Sequence, residues 1–147
     1  MSYTLQAIIL EKPDPLMVEV FGLKIIEMPC QLFLVPLIYD YVESNSIPFL
    51  PLTDEGLDNI SGYLLEICLS LSLKGKAAYV EAEFFGGEGT QGCALFENGK
   101  VKETAQENRS AINHALSWLG ISPEGEQDEF TVAGLGMHRN TEGWLDA

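Results

Sequence analysis

The chain has 147 residues, of which 46% are apolar, and both values suit one globular domain spanning residues 1–147. Twenty-two acidic side chains against eight basic ones give a net charge of −14 at pH 7. This charge disfavours nucleic acids and anionic membrane surfaces as partners, because their phosphates are bound mainly by Lys and Arg. A basic protein partner would instead be attracted.

The sequence also indicates a cytoplasmic protein. Its three cysteines, Cys30, Cys68 and Cys93, are widely spaced in apolar stretches, as expected for free thiols in a reducing compartment. The first residues lack the basic start and apolar run of a signal peptide. No stretch approaches the roughly 20 apolar residues that span a bilayer.

The first third of the chain is rich in β-forming runs. Apolar segments separated by Pro and Gly predict three strands, at residues 4–10, 16–21 and 23–27. The next segment, residues 31–42, is ambiguous, because its apolar density favours a buried strand up to Val35 whereas the residues after Pro36 favour a short helix. An extended connection is predicted over residues 44–53.

Two helices are predicted from apolar periodicity and end signals. In residues 54–73, apolar side chains recur every three or four positions, and acidic residues occupy the first turn, where the helix dipole favours them. In residues 105–119, a capping box at Thr104–Glu107 precedes the apolar stripe, and Gly120 follows its end.

Between these helices the sequence predicts an antiparallel meander from Ala77 to Glu103. Apolar and polar side chains alternate from Ala78 to Phe85, as in a strand with two distinct faces. A glycine-rich loop is predicted at residues 86–92. Asn98–Gly99, flanked by apolar runs, is a strong hairpin signal, because both residues tolerate the positive φ of a type I′ turn.

A short final strand is predicted at residues 130–133, after an acidic loop at residues 122–129. The element order then predicts an α+β fold with a mostly antiparallel sheet. We expect the two main helices, at about residues 54–73 and 105–119, to pack on one face of that sheet.

Glu81 and Glu83 are the first candidate site residues. They lie two apart on a predicted strand and therefore on the same face. Such a pair performs acid–base chemistry if burial raises the pKa of one carboxyl group. The ordinary alternative, which we favour, is a solvated acidic face of the sheet.

The glycine-rich loop supplies two further candidates, Glu88 and Gln91. Phosphate-binding glycine loops usually carry Lys and lead into a helix, whereas this loop carries Glu88 and leads into a strand. Phosphate binding is therefore disfavoured. The loop is expected to form a wide hairpin connection, with a recognition surface as the alternative.

The C-terminal segment adds His138 and Arg139 as a candidate contact site. His138 and His114 are far apart in the sequence and form no metal-binding spacing, so we expect no metal, no cofactor and no catalytic group. Catalytic arrangements that meet only in space cannot be recognised at this level.

The order of charges along the chain predicts a polarised molecule. No Lys or Arg occurs between Lys24 and Lys74, whereas seven acidic residues do. The predicted meander would gather four lysines at the Asn98–Gly99 turn: Lys74, Lys76, Lys100 and Lys102. The opposite end would then be acidic.

The segment Tyr79–Gly92, with the sequence YVEAEFFGGEGTQG, resembles a segment of small uncharacterised bacterial proteins. Some of these resemble immunity proteins of contact-dependent or polymorphic toxin systems. The resemblance covers a small part of the chain and brings no catalytic residues with it. It implies a bacterial binding protein, and the net charge of the chain adds the expectation that the partner is basic.

Three functions remain in consideration after the sequence is read. The favoured one is a non-enzymatic acidic interaction domain, of which an immunity-type inhibitor is one case. The second is a small enzyme or ligand-binding protein with a carboxylate-lined pocket. The third is a homodimer, which an apolar patch of exposed Phe85, Phe96 or Trp144 would indicate.

Overall fold

The computed structural model of the chain describes residues 2–57, 59–85, 88–105 and 109–145, with the backbone alone at Glu88 and Ala105. The described strands are β1 (Ser2–Leu10), β2 (Ile26–Glu27), β3 (Phe33–Pro36), β4 (Lys76–Phe85), β5 (Glu88–Glu97) and β6 (Lys100–Ala105). They form an antiparallel six-stranded sheet in the order β2-β3-β1-β4-β5-β6. The described α-helices are α1 (Pro15–Val20), α2 (Tyr39–Ser44), α3 (Gly62–Leu71), α4 (Ala111–Trp118) and α5 (Glu129–Ala133). The predicted α+β class is confirmed.

The meander from β4 to β6 forms as predicted. Asn98 and Gly99 have φ of 52° and 77°, as the type I′ turn between β5 and β6 requires. The predicted loop at residues 86–92 is shorter than expected, because β5 already begins at Glu88. Residues 86 and 87 lie outside the described part of the chain.

The core occupies both faces of the sheet, so the expectation that both main helices pack on one face is wrong. Along β4, Ala78, Val80 and Ala82 pack with α4, whereas Ala77 and Tyr79 pack with α3. Side chains of consecutive strand residues point to opposite faces, so each helix covers one alternate set. The sheet is therefore a middle layer between α3 and α4.

Both main helices begin later than predicted. Helix α3 begins only at Gly62, because Gly56 has a φ of 67°, which a right-handed helix through this segment does not allow. Helix α4 begins at Ala111, because β6 continues through Thr104 and Ala105 and makes a capping box there impossible. Residues 58 and 106–108, which belong to these two predictions, lie outside the described residues.

Two segments predicted as strands are short helices. Residues 16–20 belong to α1, which Phe21 follows as the C-cap, and residues 130–133 belong to α5. An aspartate precedes each helix and accepts a hydrogen bond from the first turn: Asp14 from the Met17 N–H and Asp128 from the Thr131 N–H. The strand predicted at residues 23–27 is reduced to β2, and the ambiguous segment 31–42 forms both β3 and the start of α2.

Candidate functional site

Glu81 is fully buried, so the expected solvated face is wrong at this position. Its Oε1 accepts hydrogen bonds from the Leu52 N–H at 3.1 Å and the Tyr79 hydroxyl at 2.7 Å. Its Oε2 accepts from the Thr53 N–H at 2.8 Å and the Thr53 hydroxyl at 2.6 Å. Four donors therefore converge on one carboxylate, and two of them are backbone groups of a segment 28 or 29 residues away.

Burial raises the pKa of Glu81, and the hydrogen bonds from Thr53, Tyr79 and Leu52 oppose this rise. Burial also raises the pKa of Tyr79 well above its ordinary value, and the nearby charge of Glu81 raises it further. The Tyr79 hydroxyl thus remains protonated and available to donate. Because Glu81 accepts from the N–H groups of both Leu52 and Thr53, it anchors the backbone of that segment to the sheet.

Gln6 fixes the same segment from the neighbouring strand. It lies directly opposite Glu81 across the β1–β4 pair and is also fully buried. Its side-chain N–H donates to the Pro48 carbonyl at 3.1 Å. The sheet therefore holds the connection before α3 at two points, at Pro48 and at Leu52–Thr53.

Asp54 follows the anchored segment and is exposed. Its backbone N–H donates to the Leu50 carbonyl at 2.8 Å, and Leu50 has a φ of 48°, so the chain turns tightly here. Glu83, two residues after Glu81 on β4, is also exposed. The two predicted glutamates thus share a face but have different environments, one internal and one in solvent.

Asp54 and Glu83 border an open cavity of about 1020 Å³ at the end of the β4–β5 hairpin. We call it the acidic groove, and its lining includes Thr53, Asp54, Glu83, Phe85 and Thr90. A second cavity of about 180 Å³ adjoins it, and its own lining residues are Ile112, Asn113, Asp128 and Phe130. Phe84, Gln91 and Arg109 line both cavities and so mark their junction.

Gln91, one of the predicted site residues, lies at this junction. Its side-chain oxygen accepts a hydrogen bond from the Ile112 N–H at 2.8 Å, so it caps the first turn of α4. Arg109, just before α4, also lines both cavities but was not among the predicted site residues. The sequence offered one indication of it, because Arg109 is the only Lys or Arg between Lys102 and Arg139.

The remaining candidates lie elsewhere or outside the description. The Glu88 backbone pairs with Phe85 at the hairpin end, whereas its side chain is not described. The His138 ring packs edge-on against Trp144, with centroids 4.6 Å apart. The Arg139 carbonyl accepts a hydrogen bond from the Thr4 N–H at 2.9 Å. His138 and Arg139 do not line either cavity.

Strand register separates the charges of the sheet. Next to the Asn98–Gly99 turn, Glu97 lies opposite Lys76 of β4 on one side and opposite Lys100 of β6 on the other. The Lys74 Nζ forms an ion pair with the Asp14 carboxylate at 3.6 Å. We call this part the lysine end.

The opposite part, which we call the acidic end, holds the acidic groove and α2. Helix α2 lies there because β3 runs toward the Ser2 end of β1 before the chain enters it. It adds the exposed acidic residues Asp40 and Glu43.

Aromatic side chains are exposed at the acidic end. Phe85 is 77% exposed, and Tyr39 forms an edge-on pair with Phe49 at a centroid distance of 5.8 Å. Phe96 and Trp144 are buried on opposite faces of the sheet. The apolar patch that would have indicated a homodimer is therefore not formed by these residues.

Comparisons with protein-family profiles, curated proteins and solved structures find no match for this chain. Among the described residues, no group of three or more His, Cys, Asp or Glu side chains is arranged to hold a metal ion. No described helix combines the length and apolarity needed to cross a membrane.

Proposed function

We propose that the chain is a binding module whose acidic end takes a basic segment of a partner protein. The observation that carries the proposal is the position of Asp54 and Glu83 on the acidic groove, at the end of the sheet opposite the lysines. A net charge of −14 would attract a basic partner from a distance. The local acids would then orient it.

The fixed wall of the groove supports binding in a defined geometry. Glu81 and Gln6 hold the segment that presents Asp54, so little conformational freedom is lost when a partner docks there. The exposed rings of Tyr39, Phe49 and Phe85 add the kind of side chain that is enriched at protein interfaces. An inhibitor of a basic enzyme or toxin is one case of this function.

The second candidate is a small-molecule site lined by carboxylates. The cavity and the raised pKa of Glu81 favour it. The environment of Glu81 argues against a small-molecule site. This side chain is fully buried and its two oxygens accept from four internal donors, so no atom of it is exposed to a substrate. The binding module therefore has the stronger support.

We also place this function in the cytoplasm. All three cysteines are free, and Cys68 and Cys93 are buried. Burial raises the pKa of Cys68 beyond the range in which a thiolate forms. Such unreactive buried thiols fit a reducing compartment.

The test compares two double variants that remove the same number of charges. Asp54→Asn with Glu83→Gln alters the acidic groove, and Glu124→Gln with Glu126→Gln alters the exposed loop before α5. Each variant is titrated against an array of fluorescent Arg- and Lys-rich peptides at several salt concentrations. The groove variant should bind roughly tenfold more weakly than wild type, since each exposed ion pair contributes up to about 1 kcal/mol.

The loop variant should retain nearly all of the affinity, and wild-type binding should weaken as salt is raised. Equal losses in the two double variants would mean that overall charge alone drives association. That result, or no binding by wild type, would overturn the proposal.

A further inference from the structure

The smaller cavity beside the acidic groove is built differently from the groove itself. Its walls include the apolar side chains of Phe84, Ile112 and Phe130. Phe130 is held edge-on against Tyr3 at a centroid distance of 5.5 Å. With liquid water occupying about 30 Å³ per molecule, a volume of about 180 Å³ has room for one branched aliphatic or aromatic side chain.

The polar groups around this cavity are mostly engaged with each other. The Asn113 side chain donates to Asp128 at 3.0 Å and accepts from the Phe130 N–H at 2.8 Å. Asp128 also accepts from the N–H and hydroxyl of Thr131. These bonds hold α4 and α5 together, so the cavity is a fixed feature of the helix junction with few polar groups left to bind a ligand.

Arg109 differs from these residues. It is exposed, lines both cavities, and has no ion-pair partner within the described part of the chain. A guanidinium group carries five donors and no acceptor. At the junction it can donate to the backbone carbonyls of a segment that passes from one cavity to the other.

From this arrangement we propose that the partner's segment carries an apolar side chain within two residues of its basic side chain. The basic side chain lies in the acidic groove near Asp54 and Glu83, and the apolar one fills the smaller cavity. Arg109 holds the backbone between them. The inference rests on the proposed function and adds the sequence pattern that the site selects.

The experiment uses capped five-residue peptides with one Arg in a Gly background. In one set a Leu is placed one or two positions from the Arg, on either side, and in the matched set the Leu is replaced by Gly. Binding to the full chain is followed by NMR through the ¹³C-labelled methyl group of Ile112, whose side chain lines only the smaller cavity.

At least one Arg–Leu peptide should bind about tenfold more tightly than its Arg–Gly counterpart, because burial of a leucine side chain is favourable by at least that factor. The Ile112 methyl signal should shift with the Leu peptide only. Equal affinities without an Ile112 shift would overturn the inference and leave the proposed function standing. Failure of every Arg peptide to bind would overturn both, and equal binding of a Glu–Leu peptide would overturn the requirement for a basic neighbour.

Two truncations to alanine provide a control that does not depend on absolute affinity. Phe130→Ala removes a wall of the smaller cavity and should abolish the preference for Leu over Gly peptides. Leu16→Ala removes an exposed apolar side chain outside both cavities and should leave that ratio unchanged. A preference that persists in folded Phe130→Ala protein, checked by its thermal melt, would contradict the assignment.

Discussion

Replacing Glu81 with glutamine tests whether this buried carboxylate anchors the segment before α3. Each carboxylate oxygen accepts from one backbone N–H and one hydroxyl, with Leu52 and Tyr79 on Oε1 and Thr53 on Oε2. A glutamine has one oxygen, so its NH₂ group faces a second backbone N–H. The hydroxyl beside it can rotate and accept, whereas the N–H cannot.

One buried backbone donor is then left unpaired, which costs about 1–3 kcal/mol. Removal of the buried charge offsets part of this cost. We therefore expect Glu81→Gln to lower the free energy of unfolding at neutral pH by about 2 kcal/mol. The matched variant Glu83→Gln, on the same strand but exposed, should change it by less than about 0.5 kcal/mol.

The pH dependence gives this prediction a definite sign. Glu81 has a raised pKa in the folded state, so between that value and the ordinary value of about 4.3 the folded chain binds more protons than the unfolded one. The free energy of unfolding of wild type therefore gains a contribution from Glu81 as pH falls through this window. The difference between wild type and Glu81→Gln should widen accordingly.

Urea denaturation of wild type and both variants, from about pH 8 to about pH 5, measures this difference, and contributions from other titrating groups cancel in it. A gap between wild type and Glu81→Gln that narrows toward acid pH would refute the stated direction of the pKa shift. A gap no larger than that of Glu83→Gln would refute the anchoring role.

Two further predictions concern the ends of the site. A Cβ at Gly89 would overlap the Glu83 carbonyl oxygen and the Phe84 ring, so Gly89→Ala should force β4 and β5 apart and cost about 1–3 kcal/mol in thermal or urea unfolding. Gly136→Ala, where the nearest atom is at 3.5 Å, serves as its control and should be nearly neutral. Hydrogen bonds from Asn113 and then Thr131 lower the pKa of Asp128, so Asp128→Ala should cost about 1 kcal/mol at neutral pH. The difference in the free energy of unfolding between wild type and Asp128→Ala should disappear as pH falls from about 4 through the lowered pKa of Asp128. A difference that persists in strong acid would contradict the assignment of Asp128 as the cap of α5.

Local patterns were sufficient to predict the meander. The alternation from Ala78 to Phe85 and the turn at Asn98–Gly99 each involve residues close in sequence, and both are present in the structure. The same alternation placed Glu81 and Glu83 on one face. It could not predict the burial of Glu81, because the covering residues Leu52 and Thr53 come from a distant part of the chain.

The errors in the helix predictions have related causes. A run of five or six residues is too short for periodicity to separate a helix from a strand, and this explains α1 and α5. The aspartates that cap these two helices, Asp14 and Asp128, were the sequence feature that could have identified them as helices. The placement of α3 and α4 on opposite faces also had a signal, because β4 carries apolar side chains on both faces at Tyr79 and Val80.

The contact between the C-terminal segment and β1 determines when this edge of the sheet can form during translation. On one side of β1, β3 pairs with residues Ala7–Leu10. Nearer the start of β1 on that side, the Thr4 N–H donates to the Arg139 carbonyl and the Gln6 N–H donates to the Thr141 hydroxyl at 3.0 Å. These contacts join residues about 135 positions apart, so they form late for any chain that emerges from its N-terminus. A ribosome-bound nascent chain that stops before Arg139 would therefore expose an unpaired strand edge at the start of β1.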